Sequence, residues 1–282
     1  MATTVEYAML SSRVYAASDD NRTFIPPGWT ELAWQPDLAF SGFSAGAYRN
    51  DATGEIVVAY TGTNDKSVDW TSNFLGGTGV LTAPQVEQAM LFYQQIKSAN
   101  PSGTLITFTG HSLGGGLASL MGVFVDRPAV TFAEAPFELS AKSSTVLNSL
   151  SQLLQSFNIT DSDFSSYLTN PDGEFLRREQ DNVIHYRLSG EAVGVLTALF
   201  PEISAGGPIN IDLGTSSAGM VDRHSMLLHA AAVYSILQGS GKFLTAARKM
   251  PNFVTLLLDP NLYAAADRRD PNKTDILSMI LR

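Results

Sequence analysis

Ser112 is the residue on which a reaction can be built. It stands in Gly110-His111-Ser112-Leu113-Gly114, which fits the G-x-S-x-G pattern. The residues before it, Leu105, Ile106 and Phe108, read as a buried strand, and Leu117, Leu120, Met121 and Phe124 behind it share one helical face. Strand, sharp turn and helix are the context this pattern needs. The turn forces a strained backbone on the serine, and the two glycines lack the Cβ atoms that would clash there. The helix N-terminus then aims free N–H groups and a positive dipole end at the serine oxygen. The alternative is an ordinary glycine turn with an inert serine.

Serine is a poor nucleophile near neutral pH unless a base lies within hydrogen-bond reach and a carboxylate orients that base. The chain has 4 histidines, so the base follows by elimination. His111 sits on the elbow, where its side chain should point away from the serine. His185 lies within a strand and reads as a packed core residue, and His229 lies on a helix beyond its first turn. His224 falls in the loop Val221-Asp222-Arg223-His224-Ser225 after the last expected strand, where a base can reach over the sheet. It would otherwise be a surface residue at a helix start.

The acid should lie between serine and histidine in chain order. Glu191 follows the strand Val183–Leu188, an isolated carboxylate in apolar company at a strand end. Asp212 and Asp222 are its rivals, Glu134 is a weaker one, and a plain turn glutamate is the alternative. An oxyanion hole needs two donors. The N–H of Leu113 supplies one. The end of an earlier strand, Tyr60-Thr61-Gly62-Thr63, would supply the other through the Thr63 N–H and hydroxyl, with Gly62 allowing close approach; an ordinary β-turn is the alternative.

The elements that must hold these residues alternate in type. A helix is expected from Thr3–Thr4, a loop over 21–28, and two strands at 40–49 and 55–62 joined by a hairpin. A helix from Thr82–Pro84 precedes the central strand. After the nucleophile helix come a strand at 129–133, an amphipathic helix from Ser143–Ser144, an irregular polar stretch over 158–181, strands at 183–188 and 209–213, and a helix beyond His224. Gly239-Ser240-Gly241 reads as a hinge, and 242–282 as a helical appendage. Strand and helix alternation predicts an α/β domain with a mainly parallel sheet flanked by helices, whose ligands bind beyond the carboxyl ends of the strands. Segment 137–181 far exceeds the ~2–6 residues of an αβ loop. Its helix carries Leu147, Leu150, Leu153, Leu154 and Phe157 on one face, either as a cap over the site or as ordinary packing on the sheet.

Composition narrows the function. The chain of 282 residues, 44% hydrophobic, suits one large globular domain, or one domain with an appendage. A net charge of −9 argues against nucleic acid and against electrostatic docking on anionic membranes, while leaving transient apolar contact with a lipid surface open. There is no cysteine, hence no disulfide and no thiolate metal site. Residues 1–20 lack the pattern of a signal peptide, and no window matches the ~18 apolar residues of a membrane span. The expectation is a soluble protein that stays in the cytoplasm or is secreted without a cleaved leader.

Several ordered motifs resemble those of the α/β-hydrolase lipases, in particular the class 3, fungal-type family. Gly110-His111-Ser112-Leu113-Gly114-Gly115 resembles its nucleophile elbow. Val57-Val58-Ala59-Tyr60-Thr61-Gly62-Thr63 with Asp69-Trp70 is similar to its oxyanion strand, with Thr61 where arginine is usual. Thr131-Phe132-Ala133-Glu134-Ala135-Pro136 resembles the strand after the elbow, strand 183–190 with Glu191 the acid segment, where aspartate is usual, and His224-Ser225 the histidine segment. The resemblance spans roughly 40–237 and implies an α/β-hydrolase fold. It also implies a serine carboxylic-ester hydrolase acting on acyl lipids, a triacylglycerol lipase or phospholipase, with no cofactor and no metal. The competing readings are a non-catalytic binding protein, an acyltransferase or a peptidase on the same scaffold.

Overall fold

The computed structural model describes residues 1–15, 25–36, 42–62, 81–191, 207–212 and 225–237. Helix α1 (Thr4–Arg13) opens with a capping box: the Thr3 hydroxyl accepts from the Glu6 N–H while the Glu6 carboxylate accepts from the Thr3 N–H. Strand β1 (Trp29–Gln35) pairs antiparallel with β2 (Ala45–Asn50), and β2 with β3 (Ile56–Tyr60). The expected hairpin closes through Asn50, whose side-chain oxygen accepts from Ala52 and Thr53 N–H groups, with Gly54 at φ 74°. β1 was not expected. Its sequence, Trp29-Thr30-Glu31-Leu32-Ala33-Trp34-Gln35, neither alternates nor carries a β-branched run, and only Trp29 is buried, as befits an edge strand.

From β3 onward the sheet is parallel. Helix α2 (Ala83–Ser98), with Pro84 in its first turn, leads to β4 (Ile106–His111) and α3 (Leu113–Phe124). Strand β5 (Ala129–Phe132) is followed by α4 (Glu138–Lys142), α5 (Ser144–Ser156), α6 (Ser162–Tyr167) and α7 (Pro171–Asn182). Strands β6 (Val183–Leu188) and β7 (Ile209–Ile211) complete a seven-stranded sheet in chain order, and α8 (Met226–Leu237) follows. Because β3 to β7 run parallel, Tyr60, His111, Phe132, Leu188 and Ile211 end on one edge. This is the α/β-hydrolase arrangement expected from the sequence, with the nucleophile at a β–turn–α junction on that edge.

The continuous apolar run of β3 is explained by burial on both faces. Ile56, Val58 and Tyr60 enter a core shared with α2, α3 and the helices of segment 137–182. Val57 and Ala59 enter a second core with α1, α8, Val130 and Leu188. Leu147, Leu150 and Leu154 of α5 are buried in the first core, and α5 packs on α2.

The stretch 158–181, expected to be irregular, forms two helices. Asp161 caps α6 by accepting from Asp163 and Phe164 N–H groups, Asn170 caps α7, and Pro171 preorganises its first turn. Phe164, Tyr167 and Phe175 anchor both helices to the core, and buried Arg178 donates to the Val123 and Phe124 carbonyls at the end of α3. Four anchors spread over fifteen residues give no continuous stripe, which is why the sequence read as polar. Among the described residues no helix is long and apolar enough to cross a membrane. The expected hinge at 239–241 and the appendage 242–282 lie outside the described residues.

Candidate active site

Ser112 takes φ 56° and ψ −125° between β4 and α3. Such a conformation costs a non-glycine residue about 1–3 kcal/mol, so its surroundings must impose it. They do so through the backbone. The Ser112 N–H donates to the Phe132 carbonyl at 3.1 Å, and its carbonyl accepts from Gly116 (3.1 Å) and Ala135 (2.8 Å) N–H groups. The glycines leave no room for alternatives. A Cβ on Gly110 would lie 2.2 Å from the Gly114 carbonyl oxygen, and one on Gly114 would lie 2.1 Å from that of Tyr60. The elbow is thus pressed against β3 as well as β5. Leu113, half-buried, opens α3, so its N–H belongs to the unsatisfied first turn of a twelve-residue helix.

Gly62, just past β3, approaches the elbow from the other side. A Cβ there would fall 3.2 Å from Ser112 Cβ and 2.8 Å from the His111 carbonyl oxygen. The backbone expected to lead into the oxyanion loop therefore runs against the serine. Thr63, the next residue, lies outside the described residues, as does His224.

The other three histidines are held elsewhere. His111 turns to the α1 face, where its Nδ1 is 2.7 Å from the Tyr15 hydroxyl and its ring centroid is 5.6 Å from that of His229. His229 is buried, its Nδ1–H donating to the Ser225 carbonyl at 2.9 Å. His185, expected as a packed core residue, is buried but ionic. Its Nδ1 is 3.2 Å from Glu134 and its Nε2 3.1 Å from Glu179. Burial alone would lower its pKa, yet the charges and hydrogen bonds of the two carboxylates push it up to about 9. Conversely, burial would raise the Glu134 carboxyl, and His185 with Arg187 outweighs that and holds it below its ordinary value.

Glu191 is fully buried. Gly190 at φ 75° turns the chain after β6, and the Glu191 N–H donates to the Leu188 carbonyl at 3.2 Å. Its Oε1 is 3.4 Å from Arg187 Nε, while Arg187 Nη2 reaches Glu134 at 3.4 Å. Of the rival acids, Glu134 is buried at the end of β5, with its Cβ 2.8 Å from where a Gly115 Cβ would stand. Asp212 is exposed after β7, and Asp222 lies outside the described residues. The fold thus brings Gly62, Ser112, Leu113, Glu134 and Glu191 to one edge of the sheet. Glu179 and Arg187 were missed in the sequence. The four-residue spacing of Arg187 to Glu191 was the one local signal, and Glu179 had none. Among the described residues no group of His, Asp and Glu is arranged to hold a metal ion.

A family model for the Tle-like phospholipase domain matches residues 6–205. Over 97 residues the chain is 42% identical to the extracellular phospholipase A1 of Serratia liquefaciens, covering 34% of this chain and 28% of that protein. The chain thus spans less than a third of this relative's length. Among solved structures, the Lip2 lipase of Yarrowia lipolytica is similar at 17% identity and a TM-score of 0.44, over 74% of this chain and 77% of that one. A triacylglycerol lipase from Penicillium expansum is similar at 14% identity and a TM-score of 0.39, over 72% and 75%.

Proposed function

We infer the activity from membership and geometry together: the chain belongs to the Tle-like phospholipase domain family, and its Ser112 stands strained at a strand–helix elbow. On this reading the protein is a serine hydrolase that cleaves an acyl ester of a phospholipid. Ser112 Oγ attacks the ester carbonyl while His224 takes its proton and Glu191 holds the imidazole in the required tautomer. The oxyanion of the tetrahedral intermediate is met by the Leu113 N–H and by Thr63. Collapse breaks the carbonyl–oxygen bond, and His224 returns the proton to the leaving alcohol, a lysophospholipid. Water, deprotonated by His224, then attacks the acyl-enzyme, releases the fatty acid and restores Ser112.

The observation that carries this reading is the positive φ of Ser112 with the Gly62 backbone against it. That arrangement sets the half-buried serine beside the N-terminal N–H groups of α3, as acyl transfer needs. The likeness to a phospholipase A1 supports the glycerol sn-1 ester as the bond cut. The net charge of −9 argues against electrostatic docking on anionic lipid and leaves transient, apolar contact as the way to reach it.

The test is a panel of p-nitrophenyl butyrate, a phosphatidylcholine with different chains at its two positions, a triacylglycerol and a peptide. Release of the sn-1 fatty acid from the phospholipid, abolished by Ser112→Ala, is the expected result. Phospholipid cleavage that survives Ser112→Ala, or cleavage of the peptide alone, overturns the reading.

A further inference from the structure

Five ionisable side chains form one buried line of alternating charge. Glu179 on α7 meets His185 Nε2 at 3.1 Å, and His185 Nδ1 meets Glu134 Oε1 at 3.2 Å. Arg187 Nη2 meets the same Glu134 oxygen at 3.4 Å, and Arg187 Nε meets Glu191 at 3.4 Å. Thr131 between them bonds Glu134 and His185, each at 3.3 Å. None of the five residues is more than 8% exposed. Charges taken out of water are unfavourable unless each is paired, and an apolar set of the same volume often packs at least as well. Core stability alone therefore does not account for five in a row.

The place of the line suggests what it does. It starts under α7, crosses the ends of β5 and β6, and stops at Glu191. Glu134, its midpoint, stands against Gly115, the third residue of the elbow helix, and the Ala135 N–H holds the Ser112 carbonyl at 2.8 Å. The middle of the line is thus tied to the serine's own backbone, and one of its ends is the carboxylate beyond β6. A fully buried carboxylate without a cation would take up a proton. Arg187 opposes that by its charge beside one carboxylate oxygen, and Arg187 itself donates a hydrogen bond to Glu134.

We propose that Arg187 and Glu134 are positioning residues for Glu191, with His185 and Glu179 anchoring them, so that the acid and the elbow are set relative to one another by a shared buried charge line. The proposal rests on the reading of Glu191 as the carboxylate that orients the base. It gives Glu134 a role other than rival acid: it acts on the reaction through Arg187.

Arg187→Met, Arg187→Lys, Glu191→Gln and the double variant Arg187→Met/Glu191→Gln test it, each checked for folding and assayed on a short ester. Loss of orientation by Arg187→Met is expected to lower kcat on the order of 10²-fold with KM little changed. The acidic limb of its pH–rate profile should move to higher pH, because a carboxylate that loses its cation takes up a proton more readily. Arg187→Lys should restore part of the rate. Glu191→Gln should cost about 10⁴ in kcat, and the double variant should be no slower, since Arg187 acts through Glu191.

If Glu191→Gln is inactive while Arg187→Met keeps kcat within about threefold with an unchanged pH profile, the positioning role is overturned and the acid assignment stands. A double variant slower by the product of the two losses also overturns it, since Arg187 would then act separately. If Glu191→Gln itself stays within about tenfold of the unaltered protein, the acid assignment falls and the proposal with it. Should Arg187→Met fail to fold, Glu134→Gln, which keeps shape and leaves Arg187 in place, is judged by its kcat and by its double variant with Glu191→Gln, with the acidic limb not expected to rise because Glu191 keeps its cation.

Discussion

Two strand ends on the same sheet edge are fixed by opposite means. At the end of β4 the constraint is steric and made by the backbone. Glycines at 110 and 114 sit where any Cβ would meet a carbonyl at little over 2 Å, and three backbone hydrogen bonds hold Ser112 in a strained turn. At the end of β6 the constraint is electrostatic and made by side chains, from Glu179 through His185, Glu134 and Arg187 to Glu191. A steric lock is indifferent to pH and intolerant of a single methyl group. A charge line tolerates changes of shape but depends on the protonation of every member. The two ends should therefore fail in different ways.

The largest effect is expected at the elbow. Ser112→Ala removes the nucleophile and leaves the turn intact, so turnover on a short ester should fall by about 10⁶ with no loss of thermal stability. Removing strain at an unusual φ does not apply here, since alanine is as poorly suited to φ 56° as serine. Residual activity within about tenfold would reassign the nucleophile. Gly114→Ala tests the lock itself. Its Cβ would lie 2.1 Å from the Tyr60 carbonyl oxygen, so β3 and α3 must part. We expect the melting temperature to fall and turnover to drop on the order of 10²-fold or more, because a shift of about 1 Å suffices for that. A Gly114→Ala variant of normal stability and activity would show that the close approach is not required.

This contrast also explains what could be read from the sequence. The elbow was legible because its causes are local: a pattern of five residues, a strand before it and a helix after it. The parallel sheet followed from the alternation of elements, and the position of Glu191 beyond a sheet strand from its place after Val183–Leu188. The charge line was not legible, since Glu179 sits on α7 in a stretch whose anchors, Phe164, Tyr167, Phe175 and Arg178, are too dispersed to show a period. His185 read as a core histidine because its two carboxylate partners come from other elements, one at the end of β5. Edge strand β1 escaped for a related reason: only Trp29 of it is buried, and its apolar residues neither alternate nor include a β-branched side chain.

The charge line should respond to pH where the elbow does not. His185 has a folded-state value of about 9 against an ordinary 6.5. A group raised on folding adds stability that is fully present below its unfolded value and is lost as pH rises through the folded one. Glu134 is lowered from its ordinary 4.5, so its contribution is present above that value and lost as pH falls below it. Thermal melts should show a plateau near pH 5 to 6.5 and a decline from there toward pH 10. His185→Gln should abolish the alkaline part of that decline. A melting temperature that does not change between pH 6.5 and 10 would mean that His185 is not held as a cation.

The smallest effect is expected behind the elbow, at Tyr15. Its hydroxyl lies 2.7 Å from His111 Nδ1, and it is also the nearest atom, at 2.6 Å, to the place a Gly62 Cβ would occupy. Tyr15 thus buttresses two neighbours at once, the side chain of the residue before the serine and the Gly62 backbone that approaches the oxyanion loop, without lying among the reacting groups. Tyr15→Phe keeps the ring and deletes one buried hydrogen bond, a loss of about 1–3 kcal/mol if the imidazole nitrogen is left without its partner. In a domain of this size that corresponds to roughly 2–4 °C of melting temperature per kcal/mol. Turnover should fall only severalfold, because Gly62 is still carried by β3 and the elbow still has its own three hydrogen bonds. Michaelis–Menten kinetics and thermal melts on the same preparation decide the matter. A loss of turnover beyond about tenfold at unchanged stability would place Tyr15 within the reaction and weaken the claim that backbone packing alone fixes this end of the sheet.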